Sequence, residues 1–511
     1  PAPAADPATS AEPAEPSTLI VSLMQEPATL DAHKAADLGA YAVLHQLGAS
    51  LLKRQPDGSL VGYLAEKWEI SDDGLTYTFH LRQGITFHNG DPLRAQDYVY
   101  TIERAKDPKT ASPGAGSMFA PIQSAKAVDD LTLELTLAQP FFPLLTTLAT
   151  MDGYLQPLDQ KAIEAAGDQY GHNPVGVGPY KLVDWQTGDK IVLERNPDFA
   201  WAPVGVTLST APIERIEYRI LPDPTVRVAA LEAGEVQFSD LPFKDVERVR
   251  ALGSYEVVER EASGASPLLV VSTSKAPFDN LSVRQAFTQA IDKNVMIQTA
   301  GQGNGVAQVG PLSPSVIGYW SGVGYPYDVA AAEQRLTEAG YTKNSDGIYE
   351  KDGQPLKVTI LTAQLFGYDV VAQVAADLFK KIGVQAEIEQ VDPGGLIQRV
   401  FGRDYEMAVF GYGYAEADVL YLAYHSKGSL AIGSTSDAEL DNILEKTRTT
   451  VDPQERQQWV DQAQQRIVEQ AYSIPLYYSN MYYALDQRVQ GASVDTNGAI
   501  DLFAATMADK K

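Results

Sequence analysis

Apolar and polar positions repeat with two different periods along the chain, and the periods sort by region. The stretch "WEISDDGLTYTFHLRQGITFHNG" (68–90) alternates residue by residue on both sides of Asp73-Gly74, which predicts a β-hairpin turning there. "AKAVDDLTLELTLAQP" (125–140) repeats the pattern and predicts a second hairpin at Asp129-Asp130. Helical spacing appears at 38–52 and again at Val283, Ala286, Phe287, Ala290 and Ile291, which step i, i+3, i+4, i+7, i+8 through "DNLSVRQAFTQAIDKNVMIQTAG". Between the hairpins, Asp91 is placed to cap a helix with Pro92 at its first position and Leu93, Val99, Ile102 and Ala105 on its buried side.

The C-terminal third alternates strand and helix. "PLKVTILTA" predicts a strand; Val371, Val374, Ala375, Leu378 and Ile382 predict the inward side of a helix stopped by Gly383; "VQAEIEQV" and "YEMAVFGYGY" predict two more strands. Asp452, Pro453 and Glu455 spell the start of a late helix with a capping box, and "SIPLYYSNMYYAL" (473–485) predicts one late strand. The run "SPLLVVSTS" (266–274) is apolar on both sides, as in a fully buried strand. Strand–helix–strand order implies parallel α/β units, and the hairpins imply an antiparallel insert.

"FGYGYAEADVLY" (410–421) combines these patterns unusually. Read as a strand, it sets Phe410, Tyr412, Tyr414, Glu416 and Asp418 on one face and Gly411, Gly413, Ala415 and Ala417 on the other. Either the small face packs tightly under a helix, or the strand end presents aromatic and carboxylate groups to a ligand.

Composition narrows the function. The chain has 511 residues, which implies more than one core. Its 66 acids against 40 bases give a formal charge of −26, which repels nucleic acid and anionic lipid. There is no cysteine, so disulfides and thiolate chemistry are excluded. No apolar run reaches the ~18 residues of a membrane span. The opening "PAPAADPATSAEPAEP" (1–16) is Pro/Ala/acid low complexity and predicts a disordered tether; its start at proline suggests a processed export signal or a lost lipid-bearing residue. Searches for a G-x-S-x-G elbow, H-E-x-x-H and a phosphate loop fail, and the six histidines share no helical ligand spacing, so neither catalysis, metal nor cofactor is expected. "NSDGIYEKDG" misses the calcium-loop pattern and reads as a hairpin.

Several segments, in order, resemble one family. "PDGSLVGYLAEKWEISDDGLTYTFHLRQGITFHNGDPLRAQDYVYTIERA" (56–105) resembles the signature region of family 5 extracellular solute-binding proteins, the peptide and oligopeptide receptors of ABC importers. "GVGPYKLVDW" (176–185) is similar to the family's G-T-G-P-Y segment with Val177 in place of Thr; "LERNPDF", "RVAALEAGEVQFSDLP" and "PFDNLSVRQAFTQAIDKN" are also similar to family segments. The resemblance implies an α/β, two-lobed periplasmic-binding-protein-like fold with an extra mixed α+β subdomain and two hinge strands. Lobe I would comprise 17–50, 176–264 and 480–511, with an inserted subdomain at 51–175; lobe II would run over 265–479.

In peptide-binding relatives an acid after the equivalent lobe II strand grips the ligand's α-ammonium. The resemblance places Asp418 first and Glu416 second in that role, although no proline follows Asp418 as the family pattern has it. Tyr412, Tyr414 and Trp320 would supply flat contact area, and Glu26 and Tyr41 complete the candidate set. The implied function is an extracytoplasmic, non-enzymatic, monomeric receptor that binds a small solute, by family default a peptide, and delivers it to an ABC importer permease. An oligosaccharide is the main rival ligand, and an extracellular hydrolase the distant one.

Overall fold

The computed structural model describes residues 17–508 apart from 36, 56–58, 113, 151–154, 205–210, 262–263, 415, 431, 433–435, 495–497 and 499. The segment read as a tether, 1–16, lies outside the described residues. The chain forms two lobes, each built on its own mixed sheet. The first is seven-stranded, in the order Tyr255–Glu261, Asn480–Asp486, Phe238–Leu241, Thr18–Leu23, Arg215–Ile220, Lys190–Arg195, Tyr180–Gln186. Thr18–Leu23 runs parallel to both neighbours, and its Leu19, Val21 and Leu23 enter a core shared with Val43, Leu44 and Leu47.

Asp37 caps the helix Leu38–Leu47 by accepting from Ala40 N at 2.7 Å. The helix is shorter than its apolar spacing predicts. It stops where the Gly176–Gly178 segment crosses its end: Gly178 N donates to Leu47 O at 2.8 Å, and a Cβ on Gly176 would lie 2.0 Å from the same oxygen. The chain then turns into the strand Leu52–Arg54.

The insert is a four-stranded antiparallel sheet, ordered Ala65–Ile70, Thr76–Leu81, Thr132–Leu137, Ile122–Ala127, with hairpin turns at Asp73-Gly74 and Asp129-Asp130 as predicted. Tyr98, Val99, Ile102 and Ala105 of the helix Ala95–Lys106 are buried. This helix starts later than predicted, with Arg94 rather than Asp91 at its N-cap. Pro92 is held in a bridge to Thr86, and Asp97 closes the first turn by accepting from Arg94 N at 2.7 Å. Insert and seven-stranded sheet share one continuous apolar core.

The second sheet has the order Gln385–Val391, Lys357–Ala363, Met407–Tyr412, Ala265–Val271, Ser473–Pro475; the first three strands are parallel, and Ala265–Val271 runs antiparallel to both of its neighbours. Phe287 joins two of its helices, Leu281–Ala290 and Tyr368–Lys381, with its ring 4.6 Å from Phe379. The single helix predicted after residue 280 is two. Asp292 accepts from Asn294 N and Val295 N and so starts a new helix, Lys293–Thr299, in place of continuing the old one.

Two segments cross side by side between the lobes. The first crossing lies between Glu261 and Ala265, the second runs from Pro475 to Asn480; Glu261 pairs with Asn480 and Leu268 with Pro475. At the first crossing Gly264 has φ +99°, and a Cβ there would lie 2.0 Å from Tyr412 O. The predicted late strand breaks into Ser473–Pro475, Tyr477–Tyr478 and Asn480–Asp486, because each piece pairs with a different partner.

Candidate ligand cleft

Beside the crossings lies a cavity of about 320 Å³. Its floor is the C-terminal end of Thr18–Leu23 with Met24, and its walls include Tyr41, Phe243, Met481 and Tyr482 from the seven-stranded lobe. Phe366 of the other lobe also lines it. The end of a parallel strand is where open α/β sheets leave room for ligands. Phe366 is 72% exposed with φ +50°, a backbone region disfavoured for an aromatic residue. Such outliers persist where the surrounding structure imposes them and cluster at ligand clamps. One polar wall is Asp240, whose Oδ2 accepts from the buried Arg227 at 2.8 Å.

The acids of "FGYGYAEADVLY" do something else. The strand ends at Tyr412 and a helix, Val419–Tyr424, begins with Asp418 at its N-cap, so strict alternation stops before the acids. Asp418 is buried and accepts from Arg448 Nε at 2.6 Å and Nη2 at 2.8 Å. Glu416, also buried, accepts from Arg456 Nη2 and, at 2.7 Å, from Asp418 N. Burial pushes the Glu416 carboxyl above its ordinary range against the opposing pull of Arg456. Both carboxylates are therefore committed to arginines of their own lobe. The expected grip on a ligand ammonium is replaced by two internal ion pairs, because a carboxylate already held by a guanidinium has little left to offer.

Of the remaining sequence candidates, only Tyr41 lines the cavity. Tyr412 is buried and donates its hydroxyl to Pro311 O at 3.1 Å, a packing role. Tyr414 is half-buried, its phenol pushed up by burial and by the neighbouring acids Asp418 and Glu416. Trp320 folds over its own loop, so close that a Cβ on Gly322 would meet the indole at 1.7 Å. Glu26 accepts from Trp185 Nε1 at 3.0 Å and from Gly188 N at 3.1 Å, and so ties down a hairpin. Met24, Phe243, Phe366, Met481 and Tyr482 were not anticipated. Only Phe366, beside Gly367 in a turn, carried a local signal.

Two lobes around separate sheets, two crossings and an apolar cavity between them define a cleft-binding receptor. The chain belongs to the bacterial extracellular solute-binding proteins, family 5, whose middle-region model matches residues 59–433. It is 29% identical over 476 residues to the heme-binding protein A of Haemophilus influenzae, covering 88% of this chain and 84% of that protein. It is 28% identical over 492 residues to the glutathione-binding protein GsiB of Salmonella typhimurium, covering 93% and 91%. Among solved structures it is similar to the periplasmic binding protein DppA of Helicobacter pylori in complex with peptide STSA, with a TM-score of 0.79, 26% identity, and coverage of 96% and 98%. The family is one of extracytoplasmic binding proteins. No helix among the described residues is long and apolar enough to cross a membrane.

Proposed function

We propose that this protein captures a peptide-type solute between its lobes and hands it to the permease of an ABC importer, acting as a monomer and catalysing no reaction. The observation that carries the reading is the cavity at the crossings, walled by one lobe and lined also by Phe366 of the other. Such a site gains contact when the lobes swing together, and a bound solute then favours the closed state. The lobe boundaries are those drawn from the sequence, with 17–50, 176–264 and 480–511 in lobe I, 51–175 inserted and 265–479 in lobe II.

The lining ranks the solutes. Met24, Phe243, Phe366 and Met481 suit an apolar side chain of a peptide. They offer little to the hydroxyls of an oligosaccharide, each of which needs a hydrogen-bond partner when buried. The same apolar walls, together with the relative named for haem, make a flat apolar solute the second reading. Native mass spectrometry of the protein as purified, followed by thermal-shift titration with defined di- and tripeptides, haem and oligosaccharides, tests the ranking. Stabilisation by a sugar alone overturns the peptide reading.

A further inference from the structure

The glycine-rich run "GQGNGVAQVG" (301–310) follows a helix, so it is no phosphate loop, and the structure gives it another place. It leaves the helix Lys293–Thr299 of the five-stranded lobe and runs antiparallel along the second crossing, with Val306 paired to Tyr478 and Ala307 to Tyr477. Its turn is tight: Gln302 and Gly303 have φ of +53° and +85°, and Gly303 N donates to Ile297 O at 2.9 Å. Gly305 lies so close to the crossing that a Cβ there would meet the Tyr477 ring at 2.8 Å. The turn is therefore fixed to the five-stranded lobe and set against the segment that joins the lobes.

Asn304 reaches from this turn to the other lobe. Its Nδ2 donates to Asn480 O at 2.9 Å, and its Oδ1 accepts from Asn480 N at 3.2 Å. One side chain thus takes both backbone groups of the first residue of the strand Asn480–Asp486. The pairing of that strand with Phe238–Leu241 stops at Tyr482, and two residues further on the Asn304 amide takes the place of a backbone neighbour. The Asn480 side chain carries the connection onward. Its Nδ2 donates to Glu259 Oε1, which also accepts from the Tyr482 hydroxyl at 3.3 Å. Among the described residues, Asn480 and Tyr482 line the cavity, and Asn304 and Glu259 do not. A second contact runs beside the first: a Cβ on Gly303 would lie 3.9 Å from the ring of Phe243, which packs 5.6 Å from that of Tyr482.

A rotation of the lobes bends the crossing segments. A residue held by two hydrogen bonds follows the group that holds it, or the bonds break and their polar groups lose their partners. We infer that Asn304 is a positioning residue of the solute site. It touches no solute; it ties Asn480 and, through Glu259, Tyr482 to the five-stranded lobe, so this part of the cavity wall takes its binding shape only when that lobe is in place. The inference rests on the cavity being the solute site, and not on which solute enters it.

The test uses the full chain with trileucine as the probe, and haem in its place where trileucine does not bind. Hydrogen exchange is first read residue by residue on the free proteins. In Asn304→Ala the Asn480 amide exchanges at least about tenfold faster than in wild type, while the amides of Thr18–Leu23 and the melting temperature stay as they were. Calorimetric titration then shows about tenfold weaker binding, the loss expected when two hydrogen bonds no longer hold the wall. Asn304→Asp keeps the oxygen that accepts from Asn480 N, loses the donor to Asn480 O, and falls between. Glu259→Ala weakens binding to a similar extent. The double variant falls well short of the roughly hundredfold loss that two independent sites would give, because both residues act through Asn480. An Asn480 amide that exchanges as in wild type overturns the inference with no ligand at all. Faster exchange with unchanged affinity also overturns it, since Asn304 then serves the crossing alone, and so do fully additive losses in the double variant. If trileucine fails and haem binds, the peptide reading falls while haem decides the inference in the same way. If neither probe binds, the cavity is not the solute site and the inference falls with it.

Discussion

Arg448 grips Asp418 with two hydrogen bonds, 2.6 and 2.8 Å long, and lays its guanidinium on the ring of Tyr421 at 3.3 Å. The aspartate sits at the N-terminal boundary of one helix and the arginine in the last turn of another, Ala438–Thr449, so the pair joins two elements of one lobe. Breaking a buried ion pair from one side strands the other charge, at roughly 3 to 5 kcal/mol. Asp418→Ala is expected to lower stability by about that much in chemical denaturation. Its effect on solute affinity should stay small, because the carboxylate is not offered to the cleft. A large affinity loss with unchanged stability would return Asp418 to the binding site.

Gly264 is the second point of leverage. Its φ of +99° and the 2.0 Å approach to Tyr412 O leave no room for a side chain at the crossing. Gly264→Ala must either shift the backbone of Met407–Tyr412 or change the crossing angle, and the incompatible φ alone costs more than ~1 kcal/mol. The variant is expected to melt lower and to show a changed radius of gyration in small-angle scattering without ligand. A variant indistinguishable from wild type in both would show that the crossing tolerates a Cβ.

What was legible in the sequence follows from the range of the interactions. The hairpins at Asp73-Gly74 and Asp129-Asp130 and the stop at Gly383, with φ +80°, are set by neighbouring residues, and local pattern suffices to place them. The end of the helix at Leu47 is set by Gly176 and Gly178, well over a hundred positions away, and no local signal announces it. The acids at 416 and 418 were visible, but their arginines lie 40 and 30 residues downstream, and a sequence does not say whether a carboxylate faces a ligand or a guanidinium. The cavity suffers most, because its walls come from the end of the first strand, from Phe243, Phe366 and the 480–483 segment. Those residues share a place and no pattern.

Two buried histidines give the protein a pH signature. Burial holds His33 at about 3 and His88 at about 4, both far below the ordinary value near 6.5. Folded, they stay neutral; unfolded, they take up protons below about pH 6.5. Their stability contribution is therefore complete above that pH and is lost as pH falls toward their folded values, each at up to ~1.4 kcal/mol per pH unit. Asp97 works the other way. Burial raises it to about 6, so the folded state keeps a proton that the unfolded state releases, and this contribution fades as pH rises through 6. His33→Asn should isolate one histidine: between pH 7 and pH 5 its stability is expected to fall by about 2 kcal/mol less than that of wild type. Equal pH slopes in the two proteins would show that His33 titrates normally in the fold.

Phe366 carries the last prediction, because among the described residues it is the one lining residue of the cavity supplied by the five-stranded lobe. An aromatic ring left 72% exposed in a left-handed turn gains little for the free protein beyond its edge contact with Tyr368, 6.0 Å between centroids. It gains when a solute occupies the cavity and the ring is covered from both sides, and full burial of such a side chain is worth about 1.5 to 3 kcal/mol. Phe366→Ala is expected to leave the melting temperature of the free protein unchanged while weakening the bound solute by roughly ten- to a hundredfold. Tyr41→Ala removes the opposite wall and should weaken binding as well. It should also lower stability, because Tyr41 is buried in the helix Leu38–Leu47. The two variants thus separate a residue that acts only in the bound state from one that serves fold and site together. Calorimetric titration alongside thermal melting reads both quantities. If Phe366→Ala binds as wild type does, the ring only covers its own loop, and closure of the cavity must come from another part of the five-stranded lobe.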